Sequence, residues 1–347
     1  MKFAVYAMPT YDASFGLTQG EFLRKTVDQF VSAEALGYDS VWVNEHHFHS
    51  YGGLLPSLPT ILGALSQRTT RVRLGTSVVV LPLHNPLEVA EQMAMVDLLS
   101  NGRLELGIGR GFVEHDYQVF GVDYTDTQDR LRESIDIVRQ AWTGETFSFK
   151  GRYWNVDNVQ VWPRPEQQPR PPIWLAVAGN PASLEYAAAE GFSVVTTGHS
   201  RPPERTAPLA QHYRDAWQAA GHRQRPNLAV HNHCVVAEDR AEALRLASDG
   251  LHEHNRQNHE TRSLSQANPG PEPAHPPVEQ LVEDAKTLVG TPDDVIALLQ
   301  RISEATGATE IHCMFQFGSI TFEQAQRSQE LFAREVMPKF ADAGSIV

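Results

Sequence analysis

Cysteine and long apolar runs are scarce in this chain, and each scarcity excludes a class of protein. Of 347 residues, two are cysteine, Cys234 and Cys313, which does not fit a disulfide-rich secreted scaffold and favours a reducing cytoplasm. No apolar run approaches the roughly 20 residues that cross a bilayer. The start, MKFAVYAMPTYD, lacks a signal-length apolar segment. We therefore expect a cytoplasmic protein with no membrane partner.

Positive charge is also scarce. Lys and Arg number 29 against 42 Asp and Glu, so the formal net charge is -13. This charge repels phosphate backbones, and no block of Lys and Arg interleaved with aromatic residues offsets it. Nucleic acid is therefore not an expected partner.

What the sequence does contain is a regular alternation of strand-like and helical patterns. Eight apolar, β-rich runs occupy residues 2–8, 39–45, 71–82, 103–109, 172–179, 192–198, 227–237 and 309–317. Helical patterns follow at 20–36, 56–68, 86–99, 126–142, 181–190, 203–220, 239–253 with 291–306, and 321–336. Eight such units predict parallel strands closed into one (β/α)8 barrel domain over residues 1–347, because right-handed crossovers bring each strand beside the last. An open doubly wound sheet is the alternative.

Two segments interrupt this alternation. Residues 146–165 alternate apolar and polar positions around a Lys-Gly turn, which predicts a small hairpin insertion. Residues 255–278 are polar and Pro-rich, with too little apolar surface to fold alone. We interpret them as a loop in the seventh βα unit that acts as a mobile lid.

The stretch VWVNEHHFHS, residues 41–50, places Glu45 and three histidines at the carboxyl end of the second predicted strand. Barrel enzymes carry their catalytic residues at this end of the strands. If the strand alternation continued, Glu45, His47 and His49 would share one face and His46 would point to the other. Polar residues that merely cap a strand are the simpler alternative.

A metal-dependent barrel hydrolase is a further alternative, since His47 with His49, and His231 with His233, form HxH pairs. Zinc catalysis needs three convergent protein ligands, and the sequence places two at any one strand end. The ends of the first, fifth and eighth strands supply none; they read Ala7-Met8-Pro9, Ala178-Gly179 and Gln316-Phe317-Gly318. We therefore assign no metal ligands.

The fourth strand ends in GIGRG, residues 107–111. Gly109 and Gly111 allow the backbone to approach a ligand closely, and Arg110 between them offers donors suited to a phosphate. The third glycine of the dinucleotide-binding fingerprint is absent. An ion pair between Arg110 and Glu114 is the structural alternative.

The next strand passes into a helix through AGNPAS, with Gly179 before Asn180 and Pro181. Asn suits the N-cap and Pro the first helical position. Free N-H groups at this helix start, with the Ser183 hydroxyl in its first turn, would attract an anion. Since adjacent barrel strands place Arg110 nearby, the sequence predicts a phosphate pocket.

Together these stretches resemble the luciferase-like flavin monooxygenases, the superfamily of bacterial luciferase, from Met1 to about Phe340. The matching segments occur in the family's order: MKF at the start, GYDSVWVNEHHF (37–48), LGTSVVVLPLHNPLEVAEQ (74–92), GRLELGIGRG (102–111), YQVFG (117–121), LVGTPDDVIALLQ (288–300) and EVMPKF (335–340).

The resemblance implies a (β/α)8 barrel that binds reduced FMN, with the phosphate near Arg110, Asn180 and Ser183. Ser77 and Val78 would lie under the isoalloxazine ring, in a family where a non-proline cis peptide is common. His46, preceded by Glu45, matches the histidine associated with flavin-oxygen chemistry.

The chain departs from bacterial luciferase at three positions. Gly109 stands where the catalytic subunit has a cysteine, which changes the packing beside the flavin. Gly179 stands where it has a glutamate, which puts phosphate binding in doubt. Asn44 replaces an apolar residue, so a plain fatty aldehyde is not the expected substrate.

The resemblance implies a monooxygenase in which reduced FMN reacts with O2 to give a C4a-peroxide that oxygenates a small organic substrate. A histidine with a pKa near 6.5 would move the proton that selects the reaction. A deazaflavin-dependent hydride-transfer enzyme and a noncatalytic flavin-binding subunit remain alternatives. Because no GxGxxG follows a strand, reduced FMN should come from a separate NAD(P)H:flavin reductase. The resemblance also suggests a homodimer.

Overall fold

The computed structural model describes residues 1–344 and contains eight parallel strands closed into a barrel. The strands are β1 (Lys2–Ala7), β2 (Ser40–Val43), β3 (Arg73–Thr76), β4 (Val79–Val80), β5 (Leu104–Gly109), β6 (Phe147–Lys150), β7 (Asn155–Val159), β8 (Ile173–Ala176), β9 (Ser193–Thr197), β10 (Leu228–Val236), β11 (Leu288–Gly290) and β12 (Glu310–Met314). The barrel order is β1, β2, β3, β5, β8, β9, β10 and β12, and pairing of β12 with β1 closes it. This confirms the predicted (β/α)8 architecture and excludes the open sheet.

The helices surround the barrel. They are α1 (Gln19–Ala35), α2 (Leu58–Ser66), α3 (Pro86–Leu99), α4 (Glu114–Phe120), α5 (Thr127–Thr143), α6 (Pro181–Ala189), α7 (Pro203–Ala219), α8 (Arg240–Ser263), α9 (Val278–Glu283), α10 (Pro292–Thr306) and α11 (Phe322–Leu331). Reciprocal capping boxes start α1, α10 and α11, where a threonine caps the helix and the third residue bonds back. Within residues 1–344, no helix combines the length and apolar composition needed to cross a membrane.

Aromatic and imidazole rings fill the barrel interior beneath its mouth. Trp42 meets Trp174 edge-on at a centroid distance of 5.3 Å and stacks on His312 at 4.6 Å. His312 stacks on His231 at 4.7 Å, and His231 on Tyr6 at 4.4 Å. Aromatic pairs of this kind add about 0.5–1.5 kcal/mol each beyond the burial of their surface. This column of rings therefore supports the carboxyl ends of the strands from below.

The two interruptions differ in how they fold. An antiparallel hairpin, β6 with β7, lies within the predicted insertion at 146–165. The predicted loop at 255–278 starts later than expected, because α8 continues through Ser263 and leaves 264–277 as loop. The helix persists since His254, Gln257 and Thr261, at helical spacing, are buried toward the barrel. Their polar character concealed this inner face in the sequence.

Candidate functional site

The carboxyl ends of the strands surround an open cavity. Along β8, the Trp174 side chain lies inside the barrel, and Ala176 and Ala178 follow on the same face. Both alanines are exposed although they extend a buried strand, so space remains above Trp174. A Cβ added at Gly109 would lie 3.3 Å from the Cβ of Ala176 and 2.8 Å from Val78 Cγ2. Val78 and Ala176 thus pack directly on Gly109, and the open space lies beside the exposed Ala176 and Ala178.

The peptide bond between Ser77 and Val78, which links β3 to β4, is cis. The Ser77 N-H donates to the Val43 carbonyl at 2.6 Å, so this segment is bound to the end of β2. The Ser77 hydroxyl lies 3.2 Å from His231 Nε2, at the top of the ring column. Ser77 and Val78 are both half-buried at the cavity. The structure therefore places this pair at the cavity floor.

Glu45 lies in a closed hydrogen-bond network rather than in the open cavity. Its Oε1 bonds His47 Nε2 at 2.8 Å and His84 Nε2 at 2.6 Å, and its Oε2 accepts the Val80 N-H at 3.1 Å. Burial opposes the charge on Glu45, yet the hydrogen bonds from the two histidines lower its pKa to about 2. Glu45 is therefore a fixed anion that binds the end of β2 to the segment after β3.

His46 points away from this network and has a different environment. Its ring lies 5.5 Å from the Phe112 ring and 5.7 Å from the Tyr51 ring, and its Nδ1 is buried without a partner. Burial, followed by the effect of His49, lowers the pKa of His46 to about 3. The imidazole is therefore neutral near pH 7, unlike the sequence expectation of a pKa near 6.5. A neutral ring still offers one donor and one acceptor nitrogen.

His49 does not pair with His47, contrary to the prediction from strand alternation. β2 ends at Val43, and Phe48 adopts a positive φ of 60° that turns the chain. His49 lies beside His46 instead, and its Nε2 is 3.7 Å from Asp116 Oδ1 on α4. Burial lowers the pKa of His49 to about 4 and raises that of Asp116 to about 6. Asp116 was not predicted from the sequence, since it lies on α4 and not at a strand end.

Arg110 is exposed directly after β5, with its guanidinium 5.6 Å from the Tyr124 ring centroid. Within residues 1–344 it forms no ion pair, so the alternative pairing with Glu114 is wrong. Gly111 follows with a φ of 66°, and a Cβ there would lie 2.9 Å from Val80 Cγ1. The positive φ and the close contact with Val80 therefore favour glycine at position 111.

The start of α6 has the predicted cap. The Asn180 side chain accepts the Ala182 N-H at 3.0 Å, and the Ser183 N-H bonds the Asn180 carbonyl at 3.1 Å. The Ser183 side chain is half-buried in the first turn. Register pairs β5 with β8, so this helix start and Arg110 lie on neighbouring strand ends.

Arg201, after β9, is a further cation at this end and was not predicted from the sequence. It donates to the Ala178 carbonyl at 2.6 Å. A Cβ at Gly179, whose φ is 111°, would lie 2.6 Å from Arg201 Nη1. The absence of a side chain at Gly179 thus admits Arg201 where bacterial luciferase has a glutamate. Its position directly after the sixth predicted strand was the available signal.

The carboxyl half of α8 covers the mouth. His254 Nε2 lies 3.1 Å from the Tyr51 hydroxyl and 3.4 Å from His233 Nε2. Further along, the Arg262 guanidinium lies 4.5 Å from the Phe112 ring centroid. The segment predicted as a lid thus begins as an ordered helix over the cavity.

A closed parallel barrel with buried, unpartnered imidazole groups at an open mouth defines a barrel enzyme that binds its ligands at the carboxyl ends of its strands. The chain belongs to the luciferase-like monooxygenase family, whose sequence model matches residues 1–310.

Three relatives illustrate the range of the family. The oxygenase component of a flavin-dependent trigonelline monooxygenase from Acinetobacter baylyi is 29% identical over 336 residues, covering 94% of this chain and 92% of that protein. The crystal structure of monooxygenase RslO1 from Streptomyces bottropensis has a TM-score of 0.90 at 31% identity and covers 98% of this chain and 100% of that one. An F420-dependent glucose-6-phosphate dehydrogenase from Amycolatopsis mediterranei is 37% identical over 180 residues, 50% of this chain and 53% of that protein.

Proposed function

We propose that this protein is a monooxygenase that uses reduced FMN and O2 to oxygenate a small organic substrate. The observation that carries the proposal is His46, a neutral imidazole with an unpartnered buried nitrogen beside a cavity floored by Ser77 and Val78. Reduced flavin, when bound, supplies the activation of oxygen that protein side chains cannot provide.

The residues at the mouth fit such a cofactor. The space above Trp174, beside the exposed Ala176 and Ala178, suits a flat ring system. Buried Asn44 has both side-chain polar atoms unpartnered, and such atoms point to a missing hydrogen-bonding ligand. The ring would lie over Ser77 and Val78.

The phosphate end would be held by charge and by the start of α6. Arg110 and Arg201 are the cations, and the Ser183 hydroxyl would be a donor. The N-H groups of Ala182 and Ser183 are already bonded to Asn180, so the helix start contributes through its dipole. Asn180 contributes by capping the helix, since its side chain is already bonded to Ala182. Gly111 and Gly179 adopt positive φ angles beside these cations, and their missing side chains make room for Val80 and Arg201.

His46 would donate or accept one hydrogen bond at the reacting centre and hold the proton that the reaction transfers. Its low pKa keeps it uncharged, so it does not bring a cation into the cavity. Glu45 would act through position, because its carboxylate orients the chain on both sides of His46 without facing the cavity.

The rim of the mouth favours an apolar organic substrate. Phe48, Phe112 and Phe120 are exposed there, and Phe120 packs on Phe48 and His47. Leu264, at the end of α8, is also exposed. We propose that the loop 264–277 closes over this rim and excludes water during the reaction.

FMN is proposed over a deazaflavin from the extent of the similarities. The monooxygenase relatives are similar in sequence along nearly the whole chain, whereas the F420-dependent glucose-6-phosphate dehydrogenases match 50% and 57% of it. F420-dependent enzymes of known structure cover 98% of the chain, but at 18–19% identity they share the fold alone. The trigonelline enzyme's name as an oxygenase component also supports a separate NAD(P)H:flavin reductase as the partner of this chain.

We also propose a cytoplasmic homodimer. α3 is apolar on its buried side and also exposes Met95, Leu98 and Leu99, and a surface helix apolar on both sides usually packs against a partner. The buried free thiols of Cys234 and Cys313 suit a reducing compartment.

Anaerobic titration tests the assignment. Reduced FMN is expected to bind, and on mixing with O2 the bound flavin should return to its oxidised spectrum more slowly than free reduced FMN. Reduced deazaflavin in the same titration should not bind. Tight binding of the deazaflavin alone would favour hydride transfer, and FMN binding with unchanged oxygen reactivity would favour a noncatalytic subunit.

Replacing Arg110 with alanine is expected to weaken reduced-FMN binding by about 2 kcal/mol, a factor of about 30 in Kd, as for a lost charge-assisted contact. Arg201→Ala should weaken it similarly. The control is Arg245→Ala, on the outer surface of α8, where Arg245 pairs with Asp249 at 3.7 Å. Unchanged affinity in folded Arg110→Ala and Arg201→Ala variants would remove both residues from the phosphate site.

A further inference from the structure

A second arrangement of ligand-type residues lies at the mouth, formed by His46, His49 and Asp116. One ring nitrogen of each histidine and one carboxylate oxygen lie within 4.8 Å of one another. All three side chains are more than nine-tenths buried: His46 is 6% exposed, and the side chains of His49 and Asp116 are 5% and 6% exposed. The three residues come from the turn after β2 and from α4, so tertiary structure brings them together.

Four of the six side-chain nitrogen and oxygen atoms of this group lack partners, while the His47 backbone bonds the Asp116 carboxyl group. His46 Nδ1, both ring nitrogens of His49 and Asp116 Oδ1 are buried without a hydrogen bond. Buried polar atoms in native proteins are nearly always paired with protein, water or a ligand. Four unpartnered atoms in one group therefore indicate that something else binds there.

The neighbouring group of Glu45, His47 and His84 provides the contrast. Its ligand-type atoms also lie within 4.8 Å of one another. Both histidines, however, bond the Glu45 carboxylate, at 2.8 and 2.6 Å, and the Val80 N-H bonds its other oxygen. The hydrogen-bonding atoms of this group are therefore already paired, and the group needs no ion.

We infer that His46, His49 and Asp116 bind a divalent transition-metal ion such as Zn²⁺. Two imidazoles and one carboxylate are a ligand set that zinc accepts, with water in the fourth position. Zinc–ligand bonds of about 2.0–2.2 Å place tetrahedral ligands roughly 3.4 Å apart. His49 Nε2 and Asp116 Oδ1 are 3.7 Å apart, so a small adjustment suffices for this pair.

The ion would inhibit rather than catalyse, because it occupies a nitrogen of His46. This consequence rests on the proposed role of His46, whereas the binding itself does not. The positive charge of Arg262 should weaken cation binding at this group. Its guanidinium lies 4.5 Å from the Phe112 ring, and that ring lies 5.5 Å from the His46 ring. The site should therefore strengthen when that positive charge is removed.

The test is calorimetric titration of the flavin-free full-length protein with Zn²⁺. Wild type should bind one ion per chain, and His49→Ala and Asp116→Asn should each weaken zinc binding by at least about tenfold. Tenfold is the lower end of the loss in affinity that follows when only the hydrogen-bond partners of metal ligands are mutated. Arg262→Gln should bind more tightly. Co²⁺ should give the visible absorption of a tetrahedral site in wild type and not in the two ligand variants.

Two control variants separate this site from its competitors. His84→Ala, in the self-satisfied group, and His212→Ala, a surface histidine that pairs with Glu185, should keep wild-type affinity. Equal affinity in wild type and both ligand variants, each shown to be folded by circular dichroism, would overturn the inference. So would loss of binding in His84→Ala alone.

The zinc-binding inference and the proposed monooxygenase activity are tested separately, so either can be wrong without the other. The titration uses neither flavin nor oxygen, so a chain that binds zinc at these residues but does not oxygenate retains this site. Conversely, a chain that oxygenates and binds no zinc keeps its activity and loses this inference. If both hold, added Zn²⁺ should reduce turnover in wild type and a chelator should restore it.

Discussion

His46→Ala is expected to lower product formation by about 10²- to 10⁴-fold, the range for losing a group that transfers a proton in the reaction. Reduced FMN should still bind, because the proposed phosphate contacts lie at Arg110 and Arg201. The measurement is a single turnover with chemically reduced FMN and an accepted apolar substrate, with product quantified by mass spectrometry. Flavin affinity is measured anaerobically on the same sample.

His47→Ala is the matched control, since it removes an equally buried imidazole one residue away. The His47 side chain is hydrogen-bonded to Glu45 and does not face the cavity. Its loss should therefore reduce turnover less than the loss of His46. A larger loss in His47→Ala would move the catalytic role to the Glu45 network. Activity that required added zinc and disappeared with a chelator would instead support the hydrolase alternative.

The architecture could be predicted from the sequence because its signals are local and repeated. Each strand is a short apolar run, each helix has its own period, and threonine or asparagine caps such as Thr18 and Asn180 mark the starts. Right-handed crossovers then leave few ways to arrange eight such units. The prediction of a barrel therefore depended little on any single residue.

The site could be predicted only where it follows a strand. Glu45 contacts His47, as alternation predicts, but the rule stops where β2 ends at Val43, and His49 joins His46 instead. Strand ends cannot reveal Asp116, which α4 brings in from a different part of the sequence. Neither could composition show that α8 continues to Ser263, since its inner face is polar.

Arg201 shows a different limit. Glycine and capping signals in the sequence predicted phosphate contacts at GIGRG and at the α6 cap. Arg201 has no such signal, and its approach depends on the missing side chain at Gly179. The glycine that put phosphate binding in doubt thus makes room for a second cation beside the proposed phosphate site.

The protein alone is expected not to oxidise NADH or NADPH, and turnover should require a separate flavin reductase. In residues 1–344 the strands and helices belong to the barrel, its hairpin or its helical cover, and no GxGxxG joins a strand to a helix. We have proposed that the barrel mouth holds one flavin and one substrate. Reducing equivalents should therefore arrive as free reduced FMN.

The measurement follows pyridine nucleotide absorbance in a mixture of protein, FMN, O2 and NADH or NADPH, with and without an unrelated flavin reductase. Oxidation without the reductase should match the rate of a protein-free mixture, and product should appear only when reductase is added. Chemically reduced FMN serves as the control, because it should support one turnover with no reductase or nicotinamide present. Rapid nicotinamide oxidation by the protein alone would contradict the two-component assignment, since hydride transfer would then require a nicotinamide bound against the flavin in the same mouth.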